Sequence, residues 1–182
     1  MKIKTTELPG VVIIEPQVIG DERGFFMESF HETRYREEAG IKEKFVQDNR
    51  SHSSKGVLRG IHFQKTKPQG KLVHVTQGEV FDVAVDINPE SETFKRWVGV
   101  VLSSSNHLQF YVPPGYGHGF QVISEIADFQ YKCTEFYYPE DEDGIRWNDP
   151  DIGIEWPISS PQLSMRDKNA KTLEEFLNLG NL

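Results

Sequence analysis

"KLVHVTQGEVFDVAVDI", residues 71–87, reads as two strands joined by a turn. "KLVHVT" (71–76) and "VFDVAVDI" (80–87) are rich in β-branched residues, and Gly78 supplies the turn between them. In the second run Phe81, Val83, Val85 and Ile87 point one way, while Asp82, Ala84 and Asp86 point the other. The pattern continues outward in both directions. "VVIIEPQVI" (11–19), "GFFMESF" (24–30), "WVGVVL" (97–102) and "LQFYV" (108–112) are further strand candidates, and "ADFQYKCTEFYY" (127–138) is a longer one. Asn88-Pro89 and Pro113-Pro114-Gly115 punctuate them. Helical signals are few: "HETRYREEAG" (31–40) closes on Gly40 and "NAKTLEEFLNLG" (169–180) on Gly180. The acidic, Pro/Gly-punctuated segment 139–157 reads as a long ordered loop. Many short strands with regular turns predict an all-β sandwich or barrel with a few short peripheral helices.

The 182 residues fit one domain, 1–182, with no linker, repeat or low-complexity tract. A chain of this size buries roughly 70% of its unfolded surface and needs no covalent staples. Aromatics at 12% of the residues suit a β-rich core and argue against disorder. Twenty basic against 28 acidic residues leave a net charge of −8, with no Lys/Arg-rich run, which speaks against nucleic acid as a partner. A few local arginines can still hold a small phosphorylated ligand. The single cysteine, Cys133, excludes an internal disulfide framework and a Cys-based zinc site. "MKIKTTELPG" lacks the apolar run of a signal peptide, and no segment approaches ~18 consecutive apolar residues. The expected setting is the cytoplasm, away from membranes.

A small β-barrel with histidines on its strands invites a cupin reading, in which an H-x-H pair, a later Glu and a further His bind a metal. His118 in "PPGYGHGF" (113–120) fits such a scheme, but "HFQ" (62–64) puts Gln64 where the second histidine belongs. A carboxamide is a poor ligand beside imidazole or carboxylate, and the spacings of His52, His74 and His107 rescue nothing. No metal site is expected. Acid–base chemistry fits better, because a carboxylate beside a buried histidine fixes its tautomer and stabilises the imidazolium. His62 is the candidate base, and spacing leaves Glu79, Asp82, Asp86 and Asp167 all eligible as its partner. The plain structural alternative for His62 is a barrel histidine hydrogen-bonded to backbone. Arg59 and Arg23 suit a phosphate or diphosphate, the alternative being surface salt bridges. Lys71 is either a charged anchor or a strand-start lysine, and Tyr131 is by default a core aromatic.

In order along the chain, "GDERGFFMESF", "FVQDNRSHS", "GVLRGIHFQ", "PQGKLVHVTQGEVFDVAVDI", "PPGYGHGF", "YKCTEFYYPE" and "WNDPDIGIEWP" resemble the dTDP-4-dehydrorhamnose 3,5-epimerase family over nearly the whole sequence. The resemblance implies a metal-free, cupin-like jelly-roll β-barrel, usually a homodimer. Its substrate would be dTDP-4-keto-6-deoxy-D-glucose, inverted at C3 and C5 to dTDP-4-keto-L-rhamnose. Both carbons flank a ketone, so enolate formation acidifies their protons and no cofactor is required. Carried onto matching positions, His62 is the base, Asp167 its carboxylate partner and Tyr131 the acid on the opposite face, while Lys71 steadies the enolate. Arg59 and, from a partner subunit, Arg23 would clamp the diphosphate. Gln47 and Asn49, with Phe26 and Glu28 likewise reaching a partner's site, would contact the thymidine. His118, Tyr137, Glu142 and Arg166 match further ligand-contact positions.

Four positions depart from the family pattern. His74 stands where arginine is frequent, Arg166 where lysine is common, and Tyr116-Gly117 where Phe-Ala is more usual. The competing functions are a single-site 3- or 5-epimerase of another dTDP-deoxysugar, a metal-dependent cupin enzyme such as a dioxygenase, and a non-catalytic sugar-nucleotide-binding module. One conflict is internal to "VLRGIHFQ" (57–64): strict alternation puts Arg59 and His62 on opposite faces, yet both are assigned to one ligand. A twist, a bulge or an edge position at Gly60 is predicted to reconcile them.

Overall fold

The predicted strand pair at 71–87 forms in the computed structural model, which describes residues 1–179, but its two strands enter different sheets. The strands in chain order are β1 Lys2–Thr5, β2 Val12–Glu15, β3 Val18–Asp21, β4 Gly24–Met27, β5 Gln47–Ser54, β6 Leu58–Gln64, β7 Lys71–Gln77 and β8 Glu79–Val85. They continue as β9 Trp97–Ser103, β10 Gln109–Val112, β11 Gly117–Val122, β12 Ile126–Cys133 and β13 Glu142–Gly144. The helices are α1 Glu32–Ala39, α2 Met165–Lys168 and α3 Leu173–Asn178. One sheet runs β1-β2-β10-β7-β12-β5, a second runs β13-β6-β11-β8-β9, and β3-β4 form a separate ribbon. The fold is therefore all-β with short helices, as expected, although its two main sheets face each other without closing into a continuous ring.

Three apolar clusters hold this arrangement. Between the sheets, Val73, Val75, Phe110, Val112 and Phe129 of the first meet Val80, Ala84, Val100, Leu102, Phe120 and Val122 of the second. Ile61, Phe63, Val83, Val85 and Ile87 cover the outer face of the second sheet, packed by Ile145, Ile152, Leu173 and Phe176 from the C-terminal segments. Val12, Ile14, Leu72 and Tyr111 form the outer face of the first, covered by Tyr35 and Ile41 around α1. The alternation in 80–87 thus separates two buried faces, not core from solvent. Asp82, on the face with Val80 and Ala84, is fully buried between the sheets.

Several boundaries differ from expectation for local reasons. The 11–19 run breaks at Pro16, which has no N–H to give a ladder, and its halves serve different sheets. The 127–138 strand stops at Cys133. Beyond it the side-chain amides of Gln47 and Gln64 accept the backbone N–H groups of Tyr137 and Tyr138 at 3.0 and 2.8 Å, drawing the chain off the sheet. The 139–157 loop contains β13, which pairs with β6. The 31–40 helix forms as read, ending at Gly40 with φ +73. In the last helix the observed span is Leu173–Asn178, capped by Thr172 in a capping box, and Gly180 lies outside the described residues.

The bulge predicted at Gly60 is present. Across β6 and β11, His62 pairs with His118 and Arg59 with Phe120, so three steps on one strand match two on the other. Cross-strand partners share a face, and the extra residue therefore turns Arg59 inward beside His62. Gly60 has φ +123, a region open to glycine, and a Cβ there would lie 2.6 Å from the Gly119 Cα. The Gly60–Ile61 peptide is cis.

Candidate active site

The inner faces of the two sheets open at one end into a cavity of about 390 Å³. From the first sheet come Gln47, Asn49 and Ser51 on β5, Lys71 on β7, and Phe129 and Tyr131 on β12. Register explains the grouping: Tyr131 pairs with Asn49 on one side and Val73 on the other, and Cys133 with Gln47 and Lys71. From the second sheet come Arg59 and His62 on β6 and His118 and Phe120 on β11. Gln69, Tyr137, Glu142 and Arg166 complete the rim. At the base of the cavity Phe120 and Phe129, one from each sheet, stack with centroids 4.0 Å apart.

His62 and Asp167 meet as the resemblance implied, Nε2 to Oδ1 at 2.6 Å. Asp167 sits in α2, whose cap Ser164 donates its hydroxyl to Oδ2 at 2.7 Å and accepts the Asp167 N–H at 3.1 Å. Burial pushes the Asp167 carboxyl up, but its bond to His62, the imidazole's charge and the Ser164 hydroxyl outweigh this and hold it below the ordinary range. An ionised carboxylate only accepts hydrogen bonds. In the neutral tautomer that this contact favours, the imidazole proton lies on Nε2, and the other ring nitrogen, Nδ1, is 4.0 Å from Glu142 Oε1.

The other three carboxylates left open by spacing have different work. Asp82 bonds to His118 Nε2 at 2.9 Å, its second oxygen having no partner among the described residues. Burial pushes Asp82 up and His118 down. Asp86 takes the hydroxyls of Ser91 and Thr93, and Glu79 lies in β8 away from the cavity lining.

Lys71 and Tyr131 have no side-chain hydrogen bond among the described residues. Enclosure lowers the Lys71 pKa against the opposing pull of Cys133, Glu142 and Asp82. Burial, with the negative character of Cys133 and Glu142, pushes the Tyr131 phenol up to about 12. Glu142 accepts from Tyr137 at 2.6 Å and from Arg166, and these partners hold it low despite burial. Arg59 donates to Ser53 Oγ at 3.1 Å.

Of the residues named from sequence, Gln47, Asn49, Arg59, His62, Lys71, His118, Tyr131, Tyr137, Glu142 and Arg166 share this cavity, with Asp167 directly behind His62. Arg23, Phe26 and Glu28 do not join it within the chain. Arg23, 85% exposed in its side chain, pairs with Asp21 at 2.6 Å; Phe26 is 71% exposed; Glu28 pairs with Arg34 at 2.7 Å. The reading missed Ser51, Gln69, Phe120, Phe129 and Ser164. Ser51 continues the two-residue period of Gln47 and Asn49, and "S-M-R-D" (164–167) is a helix-cap signal that could have found Ser164. Gln64 is a structural pin: its amide donates to the Lys67 and Phe136 carbonyls and accepts from Tyr138. Among the described residues no three His, Cys, Asp or Glu side chains gather as a ligand set, and no helix is long and apolar enough to cross a membrane.

The profile of the dTDP-4-dehydrorhamnose 3,5-epimerase family matches residues 5–175. A protein of that name from Methanothermobacter thermautotrophicus is 52% identical over 173 residues, covering 93% of both chains. Another from Escherichia coli K12 is 51% identical over 181 residues, covering 98% of both. A crystal structure of dTDP-6-deoxy-D-glucose-3,5-epimerase from Legionella pneumophila in complex with dTDP-4-keto-L-rhamnose superposes with a TM-score of 0.93. It is 55% identical, with 95% of this chain and 93% of that one covered.

Proposed function

Since the chain belongs to the dTDP-4-dehydrorhamnose 3,5-epimerase family, we propose that it converts dTDP-4-keto-6-deoxy-D-glucose to dTDP-4-keto-L-rhamnose by inverting C3 and C5. The observation that carries this reading is the facing of His62 and Tyr131 across one cavity, each from a different sheet. Inversion needs a base on one side of the sugar ring and an acid on the other, and a two-sheet sandwich supplies opposed sides.

His62 Nδ1 takes the proton from the carbon next to the C4 ketone, and Asp167 stabilises the imidazolium through Nε2. The electron pair moves onto the C4 oxygen, where the Lys71 ammonium offsets the charge. Tyr131, still protonated at neutral pH with its pKa near 12, returns a proton to the opposite face. Water then carries the proton from imidazolium to phenolate, and the same groups act at the second carbon. Arg59 and, from a partner subunit, Arg23 provide guanidinium groups for the diphosphate. Gln47 and Asn49 provide polar contact for the thymidine, and Tyr137 and Arg166 are further ligand contacts on the rim.

The working form in this proposal is a single-domain, cytoplasmic homodimer. The exposed β3-β4 ribbon, with Ile19 60% and Phe25 59% exposed, delivers Arg23, Phe26 and Glu28 to the partner's cavity. Proton NMR of the substrate in heavy water, coupled to a 4-ketoreductase, tests the chemistry. Deuterium at C3 and C5 is expected. Label at one carbon would indicate a single-site epimerase, and active-site-intact protein that labels neither would refute the proposal.

A further inference from the structure

We infer that Ser164 is a positioning residue for the His62–Asp167 pair, aiming the carboxylate by donating its hydroxyl to the oxygen that His62 does not use. The inference rests on the reading of His62 as base and goes beyond it. Asp167 is 4% exposed, so its carboxylate has little water to orient it. Its two oxygens are divided between two partners, Oδ1 to His62 Nε2 at 2.6 Å and Oδ2 to Ser164 Oγ at 2.7 Å. Rotation about the Cβ–Cγ bond would break both contacts together, so the hydroxyl locks the plane in which the imidazole is held.

Ser164 is itself held at both ends. Its oxygen accepts the Asp167 N–H at 3.1 Å, which makes one residue the helix cap and the carboxylate's donor. Two residues earlier, Gln162 ties the segment to the turn before β6. The Gln162 N–H donates to the Gly56 carbonyl at 2.8 Å, and the Gln162 carbonyl accepts the Leu58 N–H at 3.0 Å. The strand that carries His62 and the segment that carries Asp167 are thus fastened at Leu58 and again at the imidazole, and Ser164 lies between the two fastenings.

Capping and donation can be separated by substitution. Ser164→Thr keeps both roles. Ser164→Asp keeps the cap, because aspartate ranks with serine at that position, but it has no proton to donate and adds negative charge beside Asp167. Ser164→Ala loses both. With the donor gone, Asp167 pulls harder on the imidazole proton, so the acid limb of the kcat/KM profile and the His62 15N titration move up.

The expected results are as follows. S164T stays within about twofold of the parent in kcat and KM, with the acid limb unmoved, since its chemistry is retained. S164A loses about tenfold or more in kcat with little change in KM, as misplaced catalytic groups do. Its acid limb rises by about half a unit to one unit, and that of S164D rises further. A purely structural cap would instead lower the melting temperature of S164A, leave the acid limb in place and be rescued by S164D. An S164D variant with parental kcat and an unmoved limb overturns the inference. If S164A fails to fold, S164D against S164T makes the same comparison. If the parent shows no epimerisation, the functional proposal fails, and the 15N titration of His62 still decides the role of Ser164.

Discussion

Replacing Gly60 with alanine tests whether the bulge in β6 is what brings Arg59 and His62 to one cavity. A Cβ at that position would lie 2.6 Å from the Gly119 Cα and 2.7 Å from the His118 carbonyl oxygen. Both atoms are backbone, held by the ladder between β11 and β8, so neither can swing aside as a side-chain tip would. The shortfall from ordinary contact, 3.4–4 Å, is most of an ångström. Relief requires parting β6 from β11 at the point where His62 faces His118. The φ of +123 adds its own cost, because an L side chain at that angle is strained by about 1–3 kcal/mol. Overpacking of a tight backbone crossing adds about 1–3 kcal/mol more. Gly60→Ala should therefore lose about 2–6 kcal/mol in urea unfolding. Its kcat should fall about 100-fold through displacement of His62. Gly153→Ala is the control. Its φ is +66 with nothing within 4 Å of the added methyl, so it should cost about 1 kcal/mol and leave kcat unchanged. A Gly60→Ala protein as stable as Gly153→Ala, or one with parental kcat, would show that the bulge does not position these side chains.

Asp167→Asn keeps the shape but can present an amide N–H to His62 and reverse the tautomer; kcat should fall by about 10²–10⁴ with the fold intact, read by steady-state kinetics and circular dichroism. Tyr131→Phe removes the acid and leaves the base. Substrate should exchange its C3 or C5 proton with heavy water while forming no L-configured product, so retained inversion would sink the assignment. Stability should decline as pH falls below about 6.5, because burial holds the pKa values of His118 and His74 down and the unfolded chain binds protons that the folded one refuses. The slope from these two groups is at most about 2.7 kcal/mol per pH unit. A melting temperature flat between pH 7 and pH 5 would contradict this.

Most strands were legible where β-branched and aromatic residues cluster, as in 71–76, 80–87 and 97–102. Strand β5, "QDNRSHSS", was not read as a strand because its inward positions, Gln47, Asn49 and Ser51, are polar. They line the cavity, so the demands of a ligand erased the hydrophobic signal. The reverse held in 80–87, where alternation alone marks the Asp82 side as a solvent face: Asp82 lies buried between the sheets, and the opposite face of Val83 and Val85 is covered by the C-terminal segments. The partner of His62 could not be chosen from spacing, since Asp167 lies 105 residues away and arrives on a four-residue helix. Family resemblance supplied it, and the geometry agrees. Gly60 was legible for a physical reason: two residues with one task on opposite faces required an irregularity, and only glycine between them could host it.

The stacked rings of Phe120 and Phe129 reach across the sandwich immediately below the polar groups of the cavity. They act as a gauge block. Their contact fixes the span between the two walls at that level. Tuning that span needs no change to any polar residue. A thinner or bulkier apolar side chain at either position resets the working gap, and a related substrate of different ring pucker or bulk could be accommodated by a mutation that chemistry-minded inspection of the site would pass over.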